Sequence, residues 1–212
     1  MTRVGLFGGS FDPVHNGHLR VAEEVREHFG LDRLYFIPAF TQPLKTSVKV
    51  TAVTDRMKMV EMATRSNKFF RVSRLEMTRG GLSYSIETIR SFARRYGEIY
   101  FLVGLDAFVE IDKWKSYREI FEQAHVVVLV RPTHSKSAAT ELFPRDVKKD
   151  VKRTGDGVYE HRSGKKVFFH RVTQLDISST AIRRLVSKGA SIKYLVPHVV
   201  ERYIKEGGLY RA

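Results

Sequence analysis

Hydrophobic and polar positions change period repeatedly over residues 1–130, alternating between short two-sided apolar runs and stripes at helical spacing. Val4 to Phe7 reads as a strand that ends in Gly8-Gly9. Leu19, Ala22, Val25 and Phe29 then recur at helical spacing in a helix starting near Gly17 or His18, and Gly30 marks its stop. Leu34 to Ile37 is an apolar run closed by Pro38, and Val53, Met57, Val60 and Ala63 form the next stripe. Phe69 to Val72 predicts a third strand, followed by a helix face at Ile86, Ile89, Ala93 and Tyr96. Ile99 to Val103 is wholly apolar and ends at Gly104. Ser116 with Glu119 three residues on predicts a capping box for a helix through Ile120, Phe121 and Ala124. His125 to Val130 is read as the last central strand.

Strands separated by helices require crossover connections, so this order predicts an α/β fold: a doubly wound, Rossmann-like parallel sheet with flanking helices. Runs such as YFLV and VVVLV suit strands covered on both faces. Beyond residue 130, Val158–Glu160 and Lys166–Phe169 flank HRSGK and predict a hairpin. Thr180–Lys188 and Pro197–Glu206 read as a small C-terminal helical part, stopped by Gly189 and by Gly207-Gly208. The whole is expected to be one domain: an α/β core over 1–130, a basic loop and hairpin over 131–175, and the closing helices over 176–212.

Composition narrows the setting. With 42% hydrophobic and 28% charged residues the chain reads as an ordinary globular protein. No run approaches the roughly 18 to 20 apolar residues of a membrane span, so no membrane partner is expected. The strand-like run at Thr2 to Phe7 does not resemble a signal peptide. The absence of cysteine excludes disulfides, thiolate metal sites and Cys nucleophiles, and fits a reducing cytoplasm. A net charge of +14 favours anionic partners. Arg131 to Arg171 carries eleven Lys or Arg against five Asp or Glu, a solvated basic stretch without the interleaved aromatics of an RNA-binding module. Nucleic acid is therefore not the expected partner, and assembly of like copies is left open.

Candidate chemistry lies at the first strand end. In GGSFDPVHNGHL, Gly8 and Gly9 let backbone N–H groups approach a phosphate, Ser10 adds a hydroxyl, and a helix start follows. Neither G-x-G-x-x-G nor G-K-[S/T] is present here. His15 and His18 fall on one side of a helical turn at that phosphate end. With only Asp12 nearby they read as phosphate donors, not metal ligands, and no protein metal site is predicted. A second anion cluster is DISSTAIRR, with Ser178, Ser179 and Thr180 at a helix start and Arg183 one turn in. Two phosphate sites on one sheet suit a triphosphate.

These residues carry a resemblance. GGSFDPVHNGHL resembles the H-x-G-H signature of the nucleotidyltransferase superfamily, and ISSTAIR resembles its C-terminal phosphate motif. GGLSYSIET, VGLDAF, Trp114 and the closing Gly208-Leu209-Tyr210 are similar, in order, to bacterial nicotinate-nucleotide adenylyltransferases. The resemblance implies transfer of AMP from ATP, with Mg²⁺, to nicotinate mononucleotide, giving deamido-NAD and pyrophosphate without a covalent intermediate. It implies His15, His18 and Arg183 as the catalytic groups. ATP would be bound by these with Gly8, Gly9, Ser10, Phe11, Gly104, Asp106, Ile177, Ser178, Ser179 and Thr180. The mononucleotide would meet Gly9, Ser10, Lys45, Ser83, Tyr84, Ser85, Trp114 and Arg131. Trp114 would stack on the pyridine ring, GGLSYS would face the carboxylate, and Asp106 the ribose hydroxyls. Two departures stand out: Pro43-Leu44-Lys45 replaces the family's P-H-K, and Ser83-Tyr84-Ser85 its SYT. Another nucleotidyl transfer, to pantetheine phosphate or from CTP, and a non-catalytic nucleotide- or RNA-binding protein on this scaffold are the alternatives.

Overall fold

A computed structural model of the chain describes residues 2–43, 50–130 and 139–211. Its sheet has eight strands: β1 (Arg3–Gly9), β2 (Arg33–Pro38), β3 (Phe70–Val72), β4 (Glu98–Gly104), β5 (His125–Val130), β6 (Val151–Gly155), β7 (Val158–His161) and β8 (Lys166–Arg171). The order across it is β3-β2-β1-β4-β5-β8-β7-β6. The first six of these run parallel, and β7 and β6 close one edge antiparallel.

The helices are α1 (Asn16–His28), α2 (Val53–Thr64), α3 (Leu75–Arg79), α4 (Ser85–Ala93), α5 (Leu105–Val109), α6 (Tyr117–Gln123), α7 (Arg145–Lys148), α8 (Ser179–Ser187) and α9 (His198–Glu206). Strand alternation sends the apolar residues into two cores. Val4, Leu6, Ile99, Phe101, Val126 and Val128 face one, with Ile86, Ile89, Ile120 and Phe121 of α4 and α6. Phe7, Tyr100, Leu102 and Val127 face the other, with Ala22, Val25, Val60, Ile182 and Val200. Burial on both sides explains why β4 and β5 read as continuous apolar runs.

Three expectations change. The central parallel sheet does not end at His125–Val130, because β8 pairs with it in parallel, Val126 opposite Val167 through Val130 opposite Arg171. β8 also forms the expected hairpin with β7, Tyr159 opposite Val167, so one strand serves two neighbours. Its half-polar composition, KVFFHR, conceals the parallel partner, and the exposed pattern of β6 conceals a strand altogether. The Ser116 capping box is absent: α6 begins there, but Ser116 sits at φ 49° and makes no side-chain cap. Glu119 instead accepts from Arg90 Nε of α4 at 2.7 Å, since the left-handed backbone turns Ser116 out of the capping geometry. Finally, α1 starts at Asn16 with His15 as its N-cap, one residue before the expected region.

β1 continues to β2 on one side, whereas β4 leads to β5 on the other. β1 and β4 are neighbours, so the chain reverses its winding between them, and ligands bind at the carboxyl ends flanking such a switch point. Gly8-Gly9 and Gly104 lie there.

Candidate active site

The His15 imidazole accepts the His18 backbone N–H at its Nδ1 (3.4 Å), and His18 Nδ1 accepts the His15 backbone N–H (3.3 Å). A histidine pair thus replaces the usual Ser/Glu capping box of a helix N-terminus. Since both Nδ1 atoms act as acceptors, each neutral ring carries its proton on Nε2. The rings stack at 3.6 Å between centroids. Gly17 leaves room for it: a Cβ there would stand 3.1 Å from His15 Nδ1 and crowd the ring. The H-x-G-H spacing therefore has a steric as well as a chemical cause.

Both histidines line a cleft of about 340 Å³, with Gly104, Asp106, Ile177 and Ser178. Its remaining walls include Val21, Leu129 and Val172, an apolar surface suited to a flat base. Ser178 and Ser179 line it from the start of α8, where, among the described residues, only the Ser179 proton is already donated within the chain. Ser178 Oγ accepts the Ala181 N–H at 3.2 Å, and Ser179 Oγ donates to the Pro13 carbonyl at 2.9 Å. α8 therefore offers an anion the Ser178 O–H, the backbone amides ahead of Ala181 and the positive end of its dipole.

A second cleft, of about 320 Å³, is lined by Gly8, Gly9, Ser83, Tyr84, Ser85 and Trp114 among others. Phe7 and Gly104 belong to both clefts, which therefore adjoin over the carboxyl ends of β1 and β4. Gly8 borders open space where a side chain would project. Trp114 is half-buried and packs edge-on against Phe101, with centroids 6.2 Å apart. Ser83 ties its loop to the end of β2, its Oγ accepting the Phe40 N–H at 2.9 Å and its N–H donating to the Thr41 carbonyl at 2.8 Å. Lys115 Nζ lies 4.4 Å above the Tyr84 ring and bonds Glu87 at 2.7 Å.

Some expected residues lie elsewhere. Gly8 borders the second cleft and not the first, and Gly9, expected at both substrates, borders the second alone. The Phe11 ring is buried in the core beside Phe7 and Phe36, leaving only its backbone for a ligand. Ser10, Thr180 and Arg183 line neither cleft. The Ser10 carbonyl accepts Arg56 Nη1 at 2.7 Å, and Arg183 Nη1 donates to the Asp12 carbonyl at 2.7 Å. Lys45 and Arg131 fall outside the described residues, as does Leu44.

Sequence reasoning passes over Arg56 and sees Asp12 only as a carboxylate near the histidines; both are buried. Arg56 donates to the carbonyls of Ser10, Phe40 (3.3 Å) and Thr51 (2.9 Å), joining the glycine turn to the segments around residues 44–49. Burial pushes its pKa down, opposed by the Asp12 carboxylate. A signal existed: Arg56 follows Val53 by three positions and so falls on the apolar stripe of α2. Among the described residues no three His, Asp or Glu gather as a metal cage, and no helix is long and apolar enough to cross a membrane.

A doubly wound sheet with a histidine-capped helix beside a glycine turn defines a nucleotidyltransferase of the cytidylyltransferase-like class, whose family model matches residues 6–185. More narrowly, the chain belongs to the nicotinate-nucleotide adenylyltransferases. A relative from Desulfatibacillum aliphaticivorans, named "Probable nicotinate-nucleotide adenylyltransferase", is 40% identical over 98% of this chain and 99% of its own length. Another of the same name, from Citrifermentans bemidjiense, is 42% identical over 98% of each. Among solved structures, the Plasmodium falciparum nicotinic acid mononucleotide adenylyltransferase complexed with NaAD superposes with a TM-score of 0.75. It covers 99% of this chain and 98% of its own, at 16% identity, which speaks for the fold.

Proposed function

We propose that this chain transfers AMP from ATP to nicotinate mononucleotide, forming deamido-NAD and pyrophosphate. The observation that carries this reading is the adjacency of the two clefts across Phe7 and Gly104, one with the histidine pair and the other with Trp114. An acceptor phosphate in the second cleft would lie beside the α-phosphorus of ATP in the first.

In this reading an acceptor phosphate oxygen attacks the α-phosphorus of ATP. The bond from that phosphorus to the α,β-bridging oxygen breaks, and pyrophosphate leaves with the electron pair. Nε2–H of His15 and His18 donates to the non-bridging oxygens, whose negative charge grows in the transition state. The α8 amides hold the β- and γ-phosphates in the first cleft, and Arg183, one turn along the same helix and outside that lining, takes the end of the triphosphate that extends beyond it. Trp114 stacks on the pyridine ring, and the α4 N-terminus at Tyr84 and Ser85 receives the carboxylate. Mg²⁺ belongs to the reading as an ion carried by ATP: a hard cation that keeps phosphate and water ligands, it offsets charge on the leaving pyrophosphate. It needs no cage of carboxylates from the protein. The transfer takes place in the cytoplasm.

The test is pyrophosphate release by the purified chain with ATP, Mg²⁺ and a panel of acceptors. Nicotinate mononucleotide should turn over with deamido-NAD as product, well ahead of nicotinamide mononucleotide and phosphopantetheine. Turnover with phosphopantetheine alone, or with no acceptor, refutes the assignment.

A further inference from the structure

The closing Gly208-Leu209-Tyr210 has no part in the chemistry above, yet Tyr210 reaches the glycine turn. Gly208, at φ 60°, and Tyr210, at φ 63°, turn the chain back after α9. The Tyr210 hydroxyl donates to Asp12 Oδ1 at 2.6 Å. Oδ2 of the same carboxylate accepts the Thr51 N–H at 3.2 Å. Asp12 itself is 4% exposed.

Arg183 stands on the same residue. Its Nη1 donates to the Asp12 main-chain carbonyl, and the Asp12 Oδ2 is held 4.0 Å from that nitrogen. A carboxylate this close to a guanidinium would normally close to a charge-assisted hydrogen bond at about 2.7 to 2.9 Å. Here Oδ1 accepts from Tyr210 and Oδ2, the oxygen nearer Arg183, from the Thr51 N–H, and this fixed carboxylate stands at the outer limit of an ion pair with the guanidinium. Burial, and then the bond to Asp12, push the Tyr210 phenol above its ordinary range, so the hydroxyl keeps its proton and remains a donor.

We propose that Tyr210 is a positioning residue that holds the Asp12 carboxylate away from Arg183, so that the guanidinium charge is kept for the triphosphate. The C-terminal tail then sets affinity for ATP without touching it. This rests on the assignment of Arg183 to the triphosphate.

Tyr210→Phe removes one oxygen and retains the ring. ATP binding by calorimetry should weaken about tenfold, the loss of roughly one charged contact, while mononucleotide affinity stays within twofold. Adding Asp12→Asn to Tyr210→Phe removes the competing charge and should restore ATP affinity. Unchanged ATP binding in Tyr210→Phe, equal weakening of both substrates, or a double variant no better than the single one overturns the proposal. If Tyr210→Phe purifies unfolded, the double variant carries the test, and ATP affinity below a tenth of the parent's rejects the idea. Binding is read apart from turnover. A parent that binds ATP but transfers nothing defeats the functional reading and leaves this inference to the Tyr210 data; a parent that turns over, with Tyr210→Phe binding ATP normally, defeats only the inference.

Discussion

His15 and His18 hold each other: each Nδ1 accepts the other residue's backbone N–H, and their rings stack 3.6 Å apart at the start of α1. The cap that begins the helix is thus also the pair of donors assigned to the transferring phosphate. Local folding and chemistry use opposite nitrogens of the same rings.

His18→Ala should lower kcat by on the order of 10²- to 10³-fold, the usual loss for a transition-state donor. Its stability should fall by no more than about 0.5 to 2 kcal/mol, the range for a lost helix cap. Steady-state turnover at saturating substrates, with a thermal melt, separates the two effects. A kcat within a few-fold of the parent would refute the assignment.

Arg183→Ala should weaken ATP much more than nicotinate mononucleotide. The guanidinium rests on the Asp12 carbonyl and, at 3.4 Å, on Thr180 Oγ1 of its own helix, on the donor side of the site. Separate binding titrations decide. Equal weakening of both substrates would place the anion site with the wrong one.

Trp114 is the only tryptophan in the chain, so its fluorescence reports on one cleft alone. Emission should shift on adding nicotinate mononucleotide and change far less with ATP. Trp114→Ala should raise KM for the mononucleotide. Because the ring is half-buried, it should cost less than the roughly 3 to 5 kcal/mol typical of a core tryptophan. A silent titration with a large loss of stability would return the ring to a packing role.

Acid should destabilise the fold in a defined window. Burial, reinforced by nearby Lys165 and Lys166, holds the His125 pKa down at about 4 from 6.5, and its Nδ1 accepts the Lys166 N–H at 3.0 Å. Between these values the unfolded chain binds the proton and the folded chain does not, so stability is full above about pH 6.5 and declines toward pH 4. Burial lowers His161 and His170 in the same direction. His125→Asn keeps an acceptor and removes the titration, so melts from pH 7 to 4 should show a shallower decline. An unchanged slope would mean that other groups govern acid unfolding.

The sequence alone determined the parallel core, because strands buried on both faces must be apolar at every position, as YFLV and VVVLV are. It also carried the histidine pair and the α8 cluster, since a glycine turn, a helix start and hydroxyl caps are local features written within a few residues. Only the tertiary structure decided that β8 pairs in parallel with β5, because six half-polar residues record neither partner nor direction. It also decided that Arg56 spends its donors on three carbonyls, and that Asp12 joins Tyr210 to the loop facing Arg183. Such contacts span up to 198 residues of chain, and no local period or spacing encodes them. A buried charge needs partners, but which partners the folded chain supplies is settled only when the two faces of the sheet are closed.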